Sequence, residues 1–176
     1  MKICIIGTGN QGTGLAGLLV KETGIEEIIL ADRTVEIEQK AKSKIETLGE
    51  DCIVPSIRTV AINAGDTDSI IEAVKEADII FNGTIPRFNL PIMKACLVLN
   101  AHYLDLYSLP VQGDDIPYEE TIDAQFELNE AFQAKNLIAI PCVGANPGLS
   151  TMIATQLIKE LDIVDTVDAR TTDFIK

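Results

Sequence analysis

Apolar residues along this chain fall into short unbroken runs, separated by stretches in which they recur every three or four positions. Lys2-Ile3-Cys4-Ile5-Ile6 opens the chain as a run of strand length, and Glu27-Ile28-Ile29-Leu30-Ala31 repeats the pattern and ends in Asp32. Continuous rather than alternating runs of this length mark strands buried on both faces. Similar runs predict strands over 59–63, 77–82, 102–106 and 137–141. Helical spacing predicts helices over 12–20, 35–48, 69–76, 90–99, about 122–135 and 149–161. Thr34 can cap the second helix and Gly49 end it, while Asp66 or Thr67 can cap the third. Residues 51–57 read ambiguously, because Pro55 blocks a regular central strand. The longest irregular segment is 108–118. Strand and helix otherwise alternate with short connections, which predicts an α/β fold with a doubly wound, mostly parallel six-stranded sheet and helices on both faces. In such a sheet the ligand crevice lies at the carboxyl ends of the strands.

The first strand runs directly into Gly7-Thr8-Gly9-Asn10-Gln11-Gly12, a G-x-G-x-x-G sequence that opens a helix. Gly7 permits the tight turn, Gly9 lets the backbone approach a pyrophosphate, and Gly12 lets helix and strand pack closely. The helix start offers free N–H groups and a partial positive charge to phosphates. Asp32 follows roughly 20 residues later at the end of the second strand, where a Rossmann-type site places an acid on the adenosine ribose. Its charge repels a 2′-phosphate and so favours NAD. Arg33 beside it can stack on adenine or pair with that phosphate, which keeps NADP open. A capping turn after a strand is the bland alternative for this pair.

With 176 residues, 47% of them apolar, the chain can bury a sizeable core. Residues 1–161 read as one nucleotide-binding domain. The stretch 163–174 reads as a strand, either the start of a second unit over 162–176 or an edge strand of the same sheet. A net charge of -13 and a pI near 4.4 argue against nucleic acid and anionic membranes as partners. Cys4, Cys52, Cys96 and Cys142 are scattered, without C-x-x-C spacing, which fits reduced thiols in a cytoplasmic protein rather than disulfides or zinc. The chain opens on a core strand rather than a signal peptide, and its apolar runs fall short of a membrane span.

Asn82-Gly83-Thr84-Ile85-Pro86 follows the fourth strand, where a loop passes beside the second ribose and the nicotinamide; Asn82 and Thr84 are suited to hydrogen bonding there. Pro86 equally well simply ends the strand. Asp66 can approach the adenine edge, although its capping role needs no ligand. His102, the sole histidine, reads as packed or surface more readily than as a general base, and Asp105 has the better position at a strand's carboxyl end. No Ser-His-Asp arrangement or metal cluster can be assembled from the sequence, and no catalytic residue is nominated.

Taken together, Ile3 to Gly12, Asp32-Arg33, Ala77 to Asn82 with Pro86, His102-Tyr103-Leu104-Asp105-Leu106 and Val143-Gly144-Ala145-Asn146-Pro147-Gly148-Leu149-Ser150 resemble the saccharopine dehydrogenase family. The resemblance runs across nearly the whole chain, and the Y-x-D-L strand and G-x-x-P-G turn are its more specific parts. It implies an NAD(P)-dependent oxidoreductase acting at a C–N bond of an amino acid or related amine, in amino-acid metabolism. It also implies a homodimer in the full-length protein and a Rossmann domain interrupted by a substrate domain. Most substrate contacts would then lie beyond this chain, which alone would bind cofactor and do little chemistry. The cofactor positions it carries over are Gly7, Gly9, Asn10, Gln11, Gly12, Asp32, Arg33, Asn82, Thr84 and Pro86, with Pro147 and Gly148 bordering the nicotinamide end. From another class, a nucleotide-sensing regulatory module without catalysis fits the size, but such modules lack the G-x-x-P-G turn.

Overall fold

The computed structural model describes residues 1–34, 55–109 and 115–168, together with Gln39, Lys42, Ser43 and Ile45. Six strands form one sheet: β1 (Lys2–Ile6), β2 (Glu27–Asp32), β3 (Ser56–Ala61), β4 (Ile79–Asn82), β5 (His102–Asp105) and β6 (Ala139–Ile140). Their order is β3-β2-β1-β4-β5-β6, and every neighbouring pair is parallel. The expected doubly wound Rossmann topology is therefore present. The helices are α1 (Asn10–Leu19), α2 (Thr67–Ala73), α3 (Asn89–Leu99), α4 (Ile122–Phe126), α5 (Asn129–Ala134) and α6 (Leu149–Ile158). Short 3-10 turns cover Pro86–Phe88 and Tyr118–Glu120.

The period of two along β1 divides the core into two layers. Cys4 and Ile6 join Ile29, Ile80, Ile92, Met93 and Tyr103 under α2 and α3. Ile3 and Ile5 turn the other way, towards Ile28, Leu30, Phe81 and the α1 residues Ala16 and Val20 that follow the glycine loop. Because β1 sits between β2 and β4, the loops leaving β1 and β4 diverge around a switch point at Ile6 and Asn82, which are register partners. That divergence opens the crevice.

Gly12 controls how α1 seats on β1. A Cβ there would stand 2.1 Å from the carbonyl oxygen of Gly7, so a glycine is required for this approach. Gly7 itself has φ +90 and is crowded by Gly83 and Thr84 of the loop after β4. The two crevice loops thus touch at their bases.

Several boundaries differ from the sequence reading. Helix α1 begins at Asn10, two residues before the expected start, because Gly9 is its extended N-cap and Gly12 lies inside the helix. Strand β3 starts at Ser56, directly after Pro55, and not at Thr59. A proline without an N–H is tolerated just before an edge strand, so the ambiguous stretch resolves partly as strand, and 51–54 lie outside the described residues. Asp66 is the N-cap of α2, its Oδ1 accepting from the N–H groups of Asp68 and Ser69. The single helix expected over 122–135 is two. The N–H of Leu128 donates to the carbonyl of Gln125 in a tightened turn, which lets both Gln125 and Phe132 reach the interior.

The helix expected over 35–48 lies largely outside the described residues; Gln39, Lys42, Ser43 and Ile45 are helical and Ile45 is buried. Helix α6 has no buried residue. Residues 161–168 are exposed and carry no strand, and 169–176 lie outside the described residues. Among the described residues no helix is long and apolar enough to cross a membrane.

The packing at Gly12 predicts a pair of opposite effects. Gly12→Ala should destabilise the chain by about 1–3 kcal/mol through overpacking against backbone. Gly14→Ala, where a Cβ meets nothing within 4 Å, should stabilise it by about 0.5–1 kcal/mol. Urea unfolding of the two variants beside the parent chain tests both signs.

Candidate functional site

The crevice is built from three loops at the carboxyl edge of the sheet. The first carries Gly7, Thr8 and Gly9 into α1. Gly9, the N-cap, makes no side-chain cap bond, and the first turn of α1 holds no acid. The N–H groups of Asn10, Gln11 and Gly12 therefore have no side-chain cap, and a Cβ on Gly9 would project into open space. Exposed backbone donors beside an open cradle fit a pyrophosphate. Gly9, Asn10 and Gln11 are exposed, and Gly12 is buried against β1.

Thr8 is buried and fastens this loop to the end of β2. Its N–H and its hydroxyl both donate to Asp32 Oδ2, at 2.7 and 2.9 Å. Thr13 returns a hydroxyl bond to the Thr8 carbonyl at 2.8 Å. Asp32 Oδ1 accepts from the N–H of Arg33 at 2.7 Å, while the Arg33 side chain is exposed. The motif acid thus stands half-buried at the end of β2, with its orientation set by the glycine loop.

The second loop follows β4. Asn82 is buried, and its amide is used internally. Its Oδ1 accepts from the N–H and hydroxyl of Thr84, and its Nδ2 donates to Asn89 Oδ1 and to the Tyr103 hydroxyl oxygen. Asn82 therefore positions Thr84, which is half-buried against Gly7. Pro86 is buried as the first residue of the 3-10 turn leading into α3. Asp66 caps α2, so its carboxylate is given to that helix start.

The third loop runs from Pro141 to Gly148. Cys142 has φ +61, a cis peptide bond joins Asn146 and Pro147, and Gly148 has φ +123. A Cβ on Gly148 would lie 2.2 Å from the Gly144 oxygen, so this turn closes tightly just before α6. Asp105 anchors it: Oδ1 accepts from the Cys142 N–H at 2.8 Å, and the Asp105 carbonyl accepts from Val143.

A buried polar cluster joins these last two loops. Asp105 Oδ2 accepts from the Tyr103 hydroxyl at 2.8 Å and from Gln125 Nε2 at 2.6 Å. Gln125 Oε1 in turn accepts from Ser108 and from Asn89 Nδ2. Burial pushes the Asp105 carboxyl above its ordinary pKa, opposed by the donors from Cys142, Gln125, Tyr103 and Tyr107. Burial, followed by the Asp105 charge, raises the Tyr103 phenol well above its usual value. Tyr103 and Asp105 lie two residues apart on one face of β5, a spacing that the sequence displays; Asn89, the first residue of α3, and Gln125, within the short α4, give no comparable signal.

His102 stands at the other end of β5, away from the crevice. Its Nδ1 accepts from the Ile138 N–H at 3.0 Å, a packing role. Among the described residues no group of three His, Cys, Asp or Glu side chains could hold a metal.

The glycine cradle, the acid ending β2 and the switch point together describe a dinucleotide site, and comparison with known proteins agrees. The family model of the saccharopine dehydrogenase NADP binding domain matches residues 3–140. The chain belongs to that family. It is an NAD(P)-binding domain, as its motifs lead one to expect. Carboxynorspermidine synthase of Vibrio cholerae is 28% identical over 179 aligned positions, taking in 96% of this chain and 42% of that protein. Carboxyaminopropylagmatine dehydrogenase of Synechocystis is 26% identical over 179 positions, 93% of this chain and 41% of that protein. The chain thus spans about four-tenths of the length of these relatives. The structure of apo saccharopine dehydrogenase (L-Glu forming) from Saccharomyces cerevisiae superposes with a TM-score of 0.67 over 91% of this chain and 31% of that one, at 13% identity, which shows a shared fold.

The thiols differ sharply in environment. Cys4 and Cys96 are buried and burial raises both well above the ordinary thiol range, whereas Cys142 is raised less and is partly open in the third loop. Cys52 lies outside the described residues. In a Cys52→Ser background, native thiol titration with a disulfide reagent should count one reactive group, mapped to Cys142 by mass spectrometry. Cys4 and Cys96 should react only after unfolding.

Proposed function

We propose that this chain is the cofactor-binding domain of an oxidoreductase that acts on a C–N bond of an amino acid or related amine. The observation that carries the reading is the open cradle over Gly9, aimed by the Gly12–Gly7 contact at the switch point around which the loops from β1 and β4 diverge. In this reading the first-turn N–H groups of α1 hold the pyrophosphate, and Asp32, with Arg33 beside it, meets the adenosine ribose. Thr84 lines the second ribose, with Pro86 buried behind it at the start of the 3-10 turn. Pro147 and Gly148 border the nicotinamide, which when bound supplies the hydride donor or acceptor. The names of the two relatives both denote a carboxylated amine, which supports a substrate of that class. A homodimer and a cytoplasmic location belong to the same reading of the whole protein.

Asp32 supports NAD over NADP, because a carboxylate held by Thr8 repels a 2′-phosphate. Arg33 is the group that would reverse this preference.

Calorimetric titration of the chain with NAD, NADP and their reduced forms tests the proposal. Binding of at least one is expected, with the NAD form tighter. Gly9→Val should weaken it by about tenfold or more, a loss of about 1.4 kcal/mol or greater, without lowering the melting temperature, since its side chain occupies only the cradle. Asp32→Ser should narrow or invert the NAD preference. Binding of neither dinucleotide, or an unchanged affinity in Gly9→Val, would overturn the reading.

A further inference from the structure

We infer that Asp105 is a positioning residue for the nicotinamide half of the cofactor, locking the loop after β4 and the loop after β6 into one rigid wall through a directed hydrogen-bond path. The inference rests on the cofactor reading above and gives a role to Asp105, a residue to which that reading assigns none.

The path is continuous and each link is direct. Thr84 donates from its N–H and hydroxyl to Asn82 Oδ1, at 2.9 and 2.5 Å. Asn82 Nδ2 donates to the Tyr103 oxygen at 3.2 Å. Tyr103 donates its proton to Asp105 Oδ2 at 2.8 Å, and Asp105 Oδ1 accepts from the Cys142 N–H at 2.8 Å. Asn82 and Asp105 are register partners at the ends of adjacent strands, so the path crosses the sheet by the shortest route between the two loops.

Its polarity is determined from both ends. Asn82 must turn its oxygen to Thr84, and so presents its NH2 to Tyr103. Tyr103, receiving a donor, must give its own proton onward. Asp105 then faces donors on both oxygens: Tyr103 and Gln125 on one, Cys142 on the other. A carboxylate is the acceptor-only side chain of this length, whereas an asparagine would set an NH2 against at least one of these donors. Cys142 takes a left-handed backbone that is unfavourable for a non-glycine residue, and a charge-assisted bond to its N–H is suited to hold it there. Asp105 and Tyr103 are buried, so neither touches the cofactor; they act through Thr84 on one side and the Cys142–Gly148 loop on the other.

The test separates the two halves of the cofactor. The parent chain, Asp105→Asn and Tyr103→Phe are titrated with the tighter-binding reduced dinucleotide and with ADP-ribose, which lacks nicotinamide; melting temperatures are recorded alongside. In the parent chain the dinucleotide should bind more tightly than ADP-ribose. Asp105→Asn should weaken the dinucleotide by about tenfold, the scale of a lost charge-assisted bond, and ADP-ribose by less than about twofold. Tyr103→Phe, which removes one link and preserves the buried ring, should show the same selectivity at about threefold, the scale of one neutral hydrogen bond. If Asp105→Asn fails to fold, Tyr103→Phe decides alone. Equal weakening of both ligands would show a general structural role and overturn the inference, as would unchanged dinucleotide affinity in a folded variant or equal binding of the two ligands by the parent chain. Binding of neither ligand by the parent chain would instead remove the cofactor reading, and the inference with it.

Discussion

Gly12 lies so close to Gly7 that a single methyl group would stand 2.1 Å from the carbonyl oxygen. This contact sets the tilt of α1 on β1, and the tilt aims the first-turn N–H groups at the crevice. The same turn brings Gly7 against Gly83 and Thr84, so the loops from β1 and β4 are spaced by glycine backbone and not by side chains. Moving α1 outward would therefore disturb the cradle and the second loop together. Fold and site share this constraint, which is why the sequence pattern that marks the fold also marks the site.

The chain meets an anionic ligand against its own net charge of -13. Local donors, not the global field, must decide binding there. The first turn of α1 holds no acid, whereas α2 and α4 carry Asp68 and Asp123 in theirs and take side-chain caps from Asp66 and Thr121. The acid nearest the cradle, Asp32, is engaged by two donors from Thr8 and one from Arg33. Its charge is thus directed by the loop that it borders, so Thr8 and Asp32 act as a unit.

The parallel sheet with helices on both faces and the glycine loop were legible because each rests on short-range rules. Continuous apolar runs mean two-sided burial, and glycines at fixed offsets mean close backbone approach. Tyr103-x-Asp105 was visible as a motif but silent as to purpose. Its partner Gln125, and Asn89 one bond further on, sit in helices and are recruited by residues distant in sequence. The break between α4 and α5 was hidden for the same reason: it serves the inward turn of Gln125 and Phe132, which no local propensity records. Asn82 read naturally as a ligand for cofactor, and it is buried holding Thr84 instead, since a polar residue at a strand end can face inward as readily as outward.

Helix α6 differs in kind from the rest. Leu149, Met152, Ile153 and Leu157 are more than half exposed, and the helix has ten residues. A helix of that length is marginal in water without tertiary cover. Its first turn is nonetheless tied down, since the N–H groups of Leu149 and Ser150 donate to Gly144 and Ala145. Local opening free energy should then fall steeply along α6, from near that of the third loop at Leu149 to almost nothing at Ile158. Amide hydrogen exchange in this chain would accordingly divide into two units: a sheet that opens only on global unfolding, and a terminal helix that exchanges on its own clock, hinged at Gly148.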